Sequence, residues 1–290
     1  MTVYNGSAIL DLMVKTALLF DIDNTLTPPR QPLQQSMVEI LKRLVVPFHV
    51  AAGSHLALLR DQFFEPLYAF GFREQFDAFI SNGGIHYHCD YSKEMSLEIV
   101  SAFDIRDHLS DANYDLLIGV LEKARQMPVF QLPPSFEVMG ETITYRGSMI
   151  NFVPIGRIQG DSVAYRRSRD NFVEFDRATG YRSKMMDHLK RELSFLIESR
   201  QLTISLGGQT SFDINIATKD KTNAVWTLLN NGVERVVFLG DALFEGGNDA
   251  PIREMAENWP STSACPLEAI QVSDWDDTIK RLHRMKFIGE

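Results

Sequence analysis

Short apolar runs alternate with segments of helical spacing in the first part of the chain. Residues 15–21 (KTALLFD) form an apolar run that ends in an acidic residue, which is typical of a buried strand. Apolar residues at helical spacing over residues 33–44 then predict a helix. Residues 45–52 predict a second buried strand, and Phe79-Ile80 predicts a third. This strand–helix–strand order indicates a parallel sheet with crossover helices.

A polar residue follows each of these predicted strands. Asp21 follows the first, Ser54 follows the second and Asn82 follows the third. In parallel sheets of this kind, ligands bind beyond the carboxyl ends of the strands. We therefore expect the three side chains to lie along one ligand-binding edge.

The middle of the chain has a different pattern, and the parallel pattern returns after it. The middle contains, in order, a helix at 117–124, strand-like runs at 136–146 and 149–155 joined by a hairpin turn at Gly147-Ser148, a helix at 185–196 and a strand pair at 202–216. A helix at 221–229 and a buried strand at 236–239 follow. The pattern predicts an α/β fold in which a Rossmann-like parallel-sheet core, residues 1–92 and 216–290, carries an inserted α+β domain at residues 93–215.

Two carboxylates, Asp21 and Asp23, stand two residues apart just beyond the first strand. One carboxylate can attack phosphorus as a nucleophile while the other exchanges a proton with the leaving or attacking oxygen. Because a carboxylate repels a phosphate dianion, this chemistry needs a divalent cation, and Mg²⁺ is the natural choice. On this spacing alone, a solvated acidic turn capped by Thr25 is the favoured alternative.

A second acidic segment changes that balance. Gly240-Asp241 follows a buried strand, and Gly246-Gly247-Asn248-Asp249 comes soon after. Asp241 would complete a metal site with Asp21, and the glycines allow the backbone to turn tightly there. A glycine-rich turn with a helix N-cap at Asn248 or Asp249 explains the glycines but does not explain the acid at the strand end.

Composition limits the class of protein. The 290 residues are 44% hydrophobic and 23% charged, which is globular composition, and the formal net charge is −9. An acidic chain lacks the basic face that nucleic acids and anionic membranes require, so we expect neither as a partner. The two cysteines have no metal-ligand spacing and no apolar run approaches the roughly 18 residues of a membrane span. These features predict a cytoplasmic protein.

The order of these motifs resembles the haloacid dehalogenase superfamily. The chain has a DxDxT segment at Asp21–Thr25, Ser54 at a strand end, Lys221 opening a helix, and a GDxxxxGGND segment that ends at Asp249. The resemblance implies that Asp21 is the nucleophile and Asp23 the general acid/base. It implies that Ser54 and Lys221 bind phosphate. The Mg²⁺ ligands that it implies are Asp21, Asp23 and Asp241.

A narrower resemblance is to the eukaryotic-type α-phosphomannomutase family, with a C2b-type cap as the inserted domain. The similar segments are Thr27-Pro28-Pro29-Arg30-Gln31, Tyr145-Arg146-Gly147-Ser148-Met149-Ile150-Asn151, Pro154-Ile155-Gly156-Arg157 and Gly207-Gly208-Gln209-Thr210-Ser211-Phe212-Asp213. The resemblance implies that Arg30, Arg146 and Arg157 bind the substrate's phosphates and that Ser211 and Asp213 hold sugar hydroxyls. Arg169 matches a further family arginine if a short insertion precedes it.

Guanidinium groups suit this task because they bind phosphate oxygens in pairs. Each arginine taken alone is equally compatible with a surface or salt-bridge role. The chain also departs from the family pattern: Asn24 replaces a usual Gly, Ser81 replaces a Glu, and Ala242 replaces a Lys. Residues 250–258 do not resemble the family's second metal loop, so we expect one Mg²⁺ and not two.

The sequence therefore predicts a phosphotransferase that interconverts a hexose 6-phosphate and a hexose 1-phosphate through an aspartyl-phosphate on Asp21. A sugar 1,6-bisphosphate would be its intermediate and activator, and family analogy implies a homodimer formed through the cap. The first alternative is a sugar-phosphate phosphatase on the same scaffold. The second is a catalytically silent phosphosugar-binding protein, which the intact set of Asp21, Asp23, Lys221 and Asp241 disfavours.

Overall fold

A computed structural model describes residues 15–29, 31–158, 162–217, 219–260 and 263–289. The chain forms two compact units, one of residues 1–101 and 221–290 and one of residues 102–220, which we call the core unit and the inserted unit. The strands are β1 (Thr16–Phe20), β2 (Phe48–Ala51), β3 (Gln75–Ile80), β4 (Ile85–Asp90), β5 (Ser96–Ala102), β6 (Glu141–Tyr145), β7 (Met149–Arg157), β8 (Leu202–Gly207), β9 (Ser211–Ile216), β10 (Arg235–Gly240) and β11 (Leu267–Gln271).

Helices connect most of these strands. The α-helices are α1 (Gln35–Leu41), α2 (Leu56–Leu59), α3 (Glu65–Ala69), α4 (Ile105–His108), α5 (Asp111–Gln126), α6 (Val163–Thr179), α7 (Tyr181–Glu192), α8 (Ser194–Glu198), α9 (Thr222–Asn230), α10 (Ala250–Glu257) and α11 (Trp275–Arg284). A π-helical turn (Arg60–Phe64) joins α2 to α3, and a 3₁₀ turn (Pro128–Phe130) follows α5. None of the helices within the described ranges has the length and apolar character that a membrane span requires.

The core unit is built on a seven-stranded sheet in the order β11-β10-β1-β2-β3-β4-β5. The pairings from β11 across to β3 are parallel, and β4 runs antiparallel to β3. The central strands β1 and β10 are buried on both faces, as expected for parallel strands covered by helices. Leu18 and Phe20 of β1 join one hydrophobic cluster, whereas Leu19 joins the cluster on the other face. The predicted α/β fold with a parallel-sheet core is confirmed.

The inserted unit has a four-stranded antiparallel sheet in the order β6-β7-β9-β8. Residues of β7 and β9 share one hydrophobic cluster with residues of α5, α6 and α7. The predicted hairpin turn at Gly147-Ser148 is confirmed, with Gly147 at φ +73°. The predicted strand over 136–146 is too long, because β6 begins only at Glu141. The inserted unit is therefore an α+β unit, as the sequence predicted.

The boundaries between the two units differ from the predicted ones. The sequence placed them at 92/93 and 215/216, whereas the compact units divide at 101/102 and 220/221. Strand β5 accounts for the first difference, because it is the edge strand of the core sheet and follows residue 92.

The carboxylate of Asp77, on β3 of the core sheet, contacts three histidines. The Nδ1 of His49 lies 3.3 Å from the Oδ2 of Asp77, and the nearest nitrogens of His86 and His88 each lie 3.2 Å from its Oδ1. Burial raises the pKa of the Asp77 carboxyl, but its interactions with the imidazoles of His49 and His86 outweigh it. The pKa of Asp77 is therefore held well below its usual range.

Candidate active site

Strand β1 delivers Asp21 to the carboxyl edge of the core sheet. Asp21 is 4% exposed, and its backbone N–H donates to the carbonyl oxygen of Leu239 at 2.9 Å, which ties the end of β1 to β10. The chain then turns sharply, because the carbonyl oxygen of Ile22 accepts the N–H groups of Leu26 and Thr27. Asn24 occupies the left-handed region at φ +64°, a conformation that Asn tolerates better than most residues.

Lys221, which directly precedes α9, is fully buried between two carboxylates. Its Nζ lies 2.6 Å from the Oδ1 of Asp21 and 2.5 Å from the Oδ1 of Asp249. Burial alone would lower the pKa of Lys221, but the charges of Asp21 and Asp249 raise it above its ordinary value. The ammonium is therefore charged, and it partly neutralises a buried cluster of acids.

The other acids of this cluster act in the opposite direction on Asp21. Burial raises the pKa of the Asp21 carboxyl, Lys221 lowers it, and the charges of Asp249 and Asp241 raise it, so that on balance the pKa lies above its ordinary value. Burial also raises the pKa of Asp241, against a hydrogen bond from Asn24 that lowers it. Negative charge is thus concentrated beyond what one ammonium balances, and an added cation would relieve the repulsion.

Three carboxylates converge closely enough to share a metal ion. One oxygen each of Asp21, Asp241 and Asp249 lies within 4.8 Å of the others. Carboxylate oxygens are the hard ligands that Mg²⁺ and similar divalent cations prefer. The acid chemistry and the unbalanced charge therefore fit a divalent cation at this place.

Asp249 is the member of this cluster that the sequence did not assign. Its Oδ2 accepts the backbone N–H of Ala242 at 3.1 Å, and the side chain is fully buried. A Cβ on Gly240 would meet this carboxylate, so the glycine at that position lets Asp249 approach the strand end. Asp249 stands at the N-cap position of α10, but its side chain makes no cap hydrogen bond. The carboxylate is directed to Lys221 instead.

Asp23, which the sequence assigned to the metal, contacts a different partner. Its Oδ1 accepts a hydrogen bond from the Nε2 of Gln62 at 3.0 Å, and the same nitrogen lies 2.8 Å from the Oγ1 of Thr27. Gln62 is buried in the π-helical turn, a feature that occurs often at functional sites. The role of Asp23 as a metal ligand stays a prediction. Gln62 is a site residue that the sequence pattern did not reveal.

Ser54 lies in the loop after β2, and two asparagines from other segments lie close to this loop. The carbonyl oxygen of Ser54 accepts the N–H of Ser81 at 3.0 Å. A Cβ on Gly53 would lie 2.9 Å from the Oδ1 of Asn82 and 3.3 Å from the Nδ2 of Asn248. The core unit thus brings the Ser54 loop, the end of β3 and the segment before Asp249 together. Of these, the sequence predicted Ser54 and Asn82 at this edge.

In the inserted unit, side-chain hydrogen bonds join three residues that lie near the ends of strands. The Nη2 of Arg146 donates to the Oδ1 of Asn151 at 3.0 Å, and the Nδ2 of Asn151 donates to the Oδ1 of Asp213 at 2.6 Å. Ser211 donates to the carbonyl oxygen of Gly207, and a Cβ on Gly207 would meet both Ser211 and Asp213. In the sequence Asn151 is only one residue of a family motif, whereas in the structure it links Arg146 to Asp213.

The remaining predicted arginines have separate positions. Arg157 ends β7, and a register shift in the pairing of β6 with β7 puts it opposite Glu141. Arg169 lies on α6 and is partly buried. Arg30 falls outside the residues that the structure describes.

The sequence comparisons agree on one family. A family model described as eukaryotic phosphomannomutase matches residues 34–285. The chain is 31% identical over 241 residues to the phosphomannomutase of Schizosaccharomyces pombe, covering 82% of this chain and 85% of the relative. It is 30% identical over 281 residues to the phosphomannomutase of Encephalitozoon cuniculi, covering 95% of each. Among solved structures, an IMP-bound IMP-nucleotidase of Plasmodium falciparum has a TM-score of 0.62 at 14% identity, covering 97% of this chain and 71% of that one, which is a likeness of fold.

Proposed function

Because the chain belongs to the eukaryotic phosphomannomutase family, we propose that it interconverts a hexose 6-phosphate and a hexose 1-phosphate through a phosphoryl group carried on Asp21. The observation that supports this proposal most directly is the buried contact of Asp21 with Lys221 beside Asp241 and Asp249. It provides a carboxylate nucleophile, a fixed positive charge and further acids at one strand edge.

The proposed reaction has two phosphoryl transfers. In the first, phosphorylated Asp21 gives its phosphoryl group to a free hydroxyl of the hexose monophosphate, and Asp23 takes the hydroxyl proton. In the second, the bisphosphate has turned around, an Asp21 oxygen attacks its other phosphorus, and Asp23 returns the proton to the departing sugar oxygen. The bonds and protons balance, and the enzyme is left phosphorylated again.

Two neighbouring side chains suit these steps. Gln62 donates to Asp23 at 3.0 Å, so its amide holds the general acid/base in one orientation. Lys221 is charged and lies beside Asp21, so it can stabilise the negative charge of the transferred phosphoryl group. Ser54 is a further proposed phosphate ligand, because it lies in the adjacent loop.

Membership of the family implies a divalent metal, and we propose that it is Mg²⁺. Asp21 and Asp241 would hold it, with Asp249 or Asp23 as the third acid. When bound, the cation neutralises the charge that the carboxylates and the phosphate would otherwise concentrate.

The substrate-binding role of the inserted unit is part of the same proposal. Arg146 and Asp213, linked through Asn151, form a ready set of donors and acceptors for a phosphorylated sugar. Arg157, Arg169 and Ser211 complete the proposed set, together with Arg30 of the core sequence. Guanidinium groups give paired hydrogen bonds to phosphate, which explains why a site for a second phosphate would use arginine.

The deciding experiment is phosphorus NMR of the reaction with mannose 1-phosphate and glucose 1-phosphate, with and without a catalytic amount of the matching 1,6-bisphosphate. We expect hexose 6-phosphate to form, bisphosphate to stimulate it, and little inorganic phosphate to appear. The Asp21→Asn variant is the control for contaminating activity. Inorganic phosphate as the dominant product, without isomerised sugar phosphate, would identify a phosphatase instead.

Three further parts of the proposal rest on the family resemblance and on composition. A sugar bisphosphate would be the activator, the chain would pair as a homodimer through the inserted unit, and it would act in the cytoplasm. Light scattering of the purified protein tests the dimer, and the NMR titration tests the activator.

A further inference from the structure

Asn24 connects the nucleophile loop to the acid at the end of β10. Its Nδ2 donates to the Oδ2 of Asp241 at 3.0 Å and to the carbonyl oxygen of Ser273 at 3.2 Å. The two acceptors are far away in sequence but adjacent in the core unit. One amide group therefore ties three segments together: the loop after β1, the end of β10 and the loop before α11.

Asp241 lies in a close group of acids and is partly buried. One oxygen of its carboxylate lies within 4.8 Å of oxygens of Asp21 and Asp249. The Nε2 of Gln271 donates to the backbone carbonyl oxygen of Asp241 at 3.2 Å, which fixes the main chain but not the carboxylate. Within the described hydrogen bonds, the side-chain donor to the carboxylate is Asn24.

We propose that Asn24 is a positioning residue that holds the Asp241 carboxylate in the orientation in which it binds the divalent cation. The inference rests on the metal site of the proposed function. A donor on Oδ2 restricts rotation of the carboxylate and so holds its other oxygen in a fixed position. Partners of this kind, one step removed from the metal, orient the ligands and tune their affinity.

The backbone at this position explains why an asparagine can serve. At φ +64° most side chains are strained, whereas glycine and asparagine are tolerated. Glycine would satisfy the turn but would donate nothing to Asp241. Asparagine satisfies the turn and supplies the donor, so Asn24 combines a backbone role with a contact that glycine cannot make.

The test is the affinity for Mg²⁺ alone, measured by titration calorimetry on the full chain and on Asn24→Gly. Glycine keeps the backbone angle, so the variant is expected to fold, and its melting temperature without metal checks this. We expect the Kd for Mg²⁺ to rise about tenfold. The matched control is Lys286→Gly, which removes an exposed side chain at φ +60° in the same unit and should leave the Kd unchanged.

Failure of this inference can be told apart from failure of the proposed function. An unchanged Kd in Asn24→Gly overturns the positioning role, even if the parent protein isomerises hexose phosphates normally. Asp241→Asn is measured in parallel and should weaken Mg²⁺ binding severely. If Asp241→Asn binds Mg²⁺ as tightly as the parent, or if the parent binds none, Asp241 is not a metal ligand and the inference falls with it. The NMR assay decides the mutase function independently.

Discussion

Replacing Lys221 by methionine should destabilise the core unit strongly. The side chain is fully buried, and its ammonium is within hydrogen-bond distance of two buried carboxylates, Asp21 and Asp249. Each charge-assisted hydrogen bond contributes about 1.5–3 kcal/mol, so the loss of two amounts to about 3–6 kcal/mol. Removing one partner from a buried ion pair costs about 3–5 kcal/mol, because the remaining charge is left uncompensated. We therefore expect the free energy of unfolding to fall by about 3–5 kcal/mol.

The measurement is urea denaturation at pH 7.5 without divalent cations, followed by circular dichroism and by tryptophan fluorescence. Methionine is close to lysine in length, so packing is changed little and the electrostatic loss is isolated. The control is Lys280→Met on the exposed side of α11, which should change stability by less than about 0.5 kcal/mol. A loss in Lys221→Met no larger than that of Lys280→Met would refute the reasoning that the buried ammonium balances the acids.

Three further predictions concern catalysis and pH. Asp21→Asn should abolish phosphohexose turnover and Asp23→Asn should reduce it by roughly 10²–10⁴-fold, and wild-type turnover in Asp21→Asn would rule out the covalent route. Arg157→Ala should lower kcat/KM for a phosphohexose by a factor that corresponds to about 1.5–3 kcal/mol, and should leave kcat/KM for p-nitrophenyl phosphate unchanged. Equal losses on both substrates would assign Arg157 to folding. Asp77→Asn should lower the free energy of unfolding at pH 7, and the gap between variant and parent should shrink below about pH 4. The reason is that a carboxyl whose pKa is lowered by folding stabilises the folded state only while it is ionised. A gap of equal size at pH 7 and pH 3 in urea denaturation would contradict this.

The strands that the sequence predicted well are those whose position in the sheet imposes a simple pattern. All residues of β1 are buried, so they form an uninterrupted apolar run. Strand β5 is mostly exposed, with Ile99 at 57%, and therefore has no recognisable alternation. Helix α6 was missed for a related reason: it buries only Tyr165 and Phe172 among its 17 residues, so its apolar stripe is too sparse to reveal the helical period.

The site was predictable where a residue follows a strand and hidden where a contact joins distant segments. Asp21 and Asp241 both follow buried strands, and that position marked them. The contact between Asn24 and Asp241 spans 217 positions in sequence, and no local pattern indicates it. Gln62 was hidden because it lies in a π-helical turn between α2 and α3, and spacing does not distinguish such a turn from an α-helix.

The departures from the family pattern become understandable once backbone and side chain are considered separately. At Ala242 the contacts come from the main chain: its N–H donates to the carboxylate of Asp249, and its carbonyl oxygen accepts the N–H of Asp249 at 3.2 Å. A Cβ on Gly247 would collide with that carbonyl oxygen, so the glycine keeps the loop close. Replacing a lysine by Ala242 therefore preserves the support of Asp249. Ser81 likewise takes a left-handed conformation at φ +52°, and its N–H still anchors to the Ser54 loop. At both positions the main-chain hydrogen bonds that hold the acids and the Ser54 loop do not depend on the side chain that has changed.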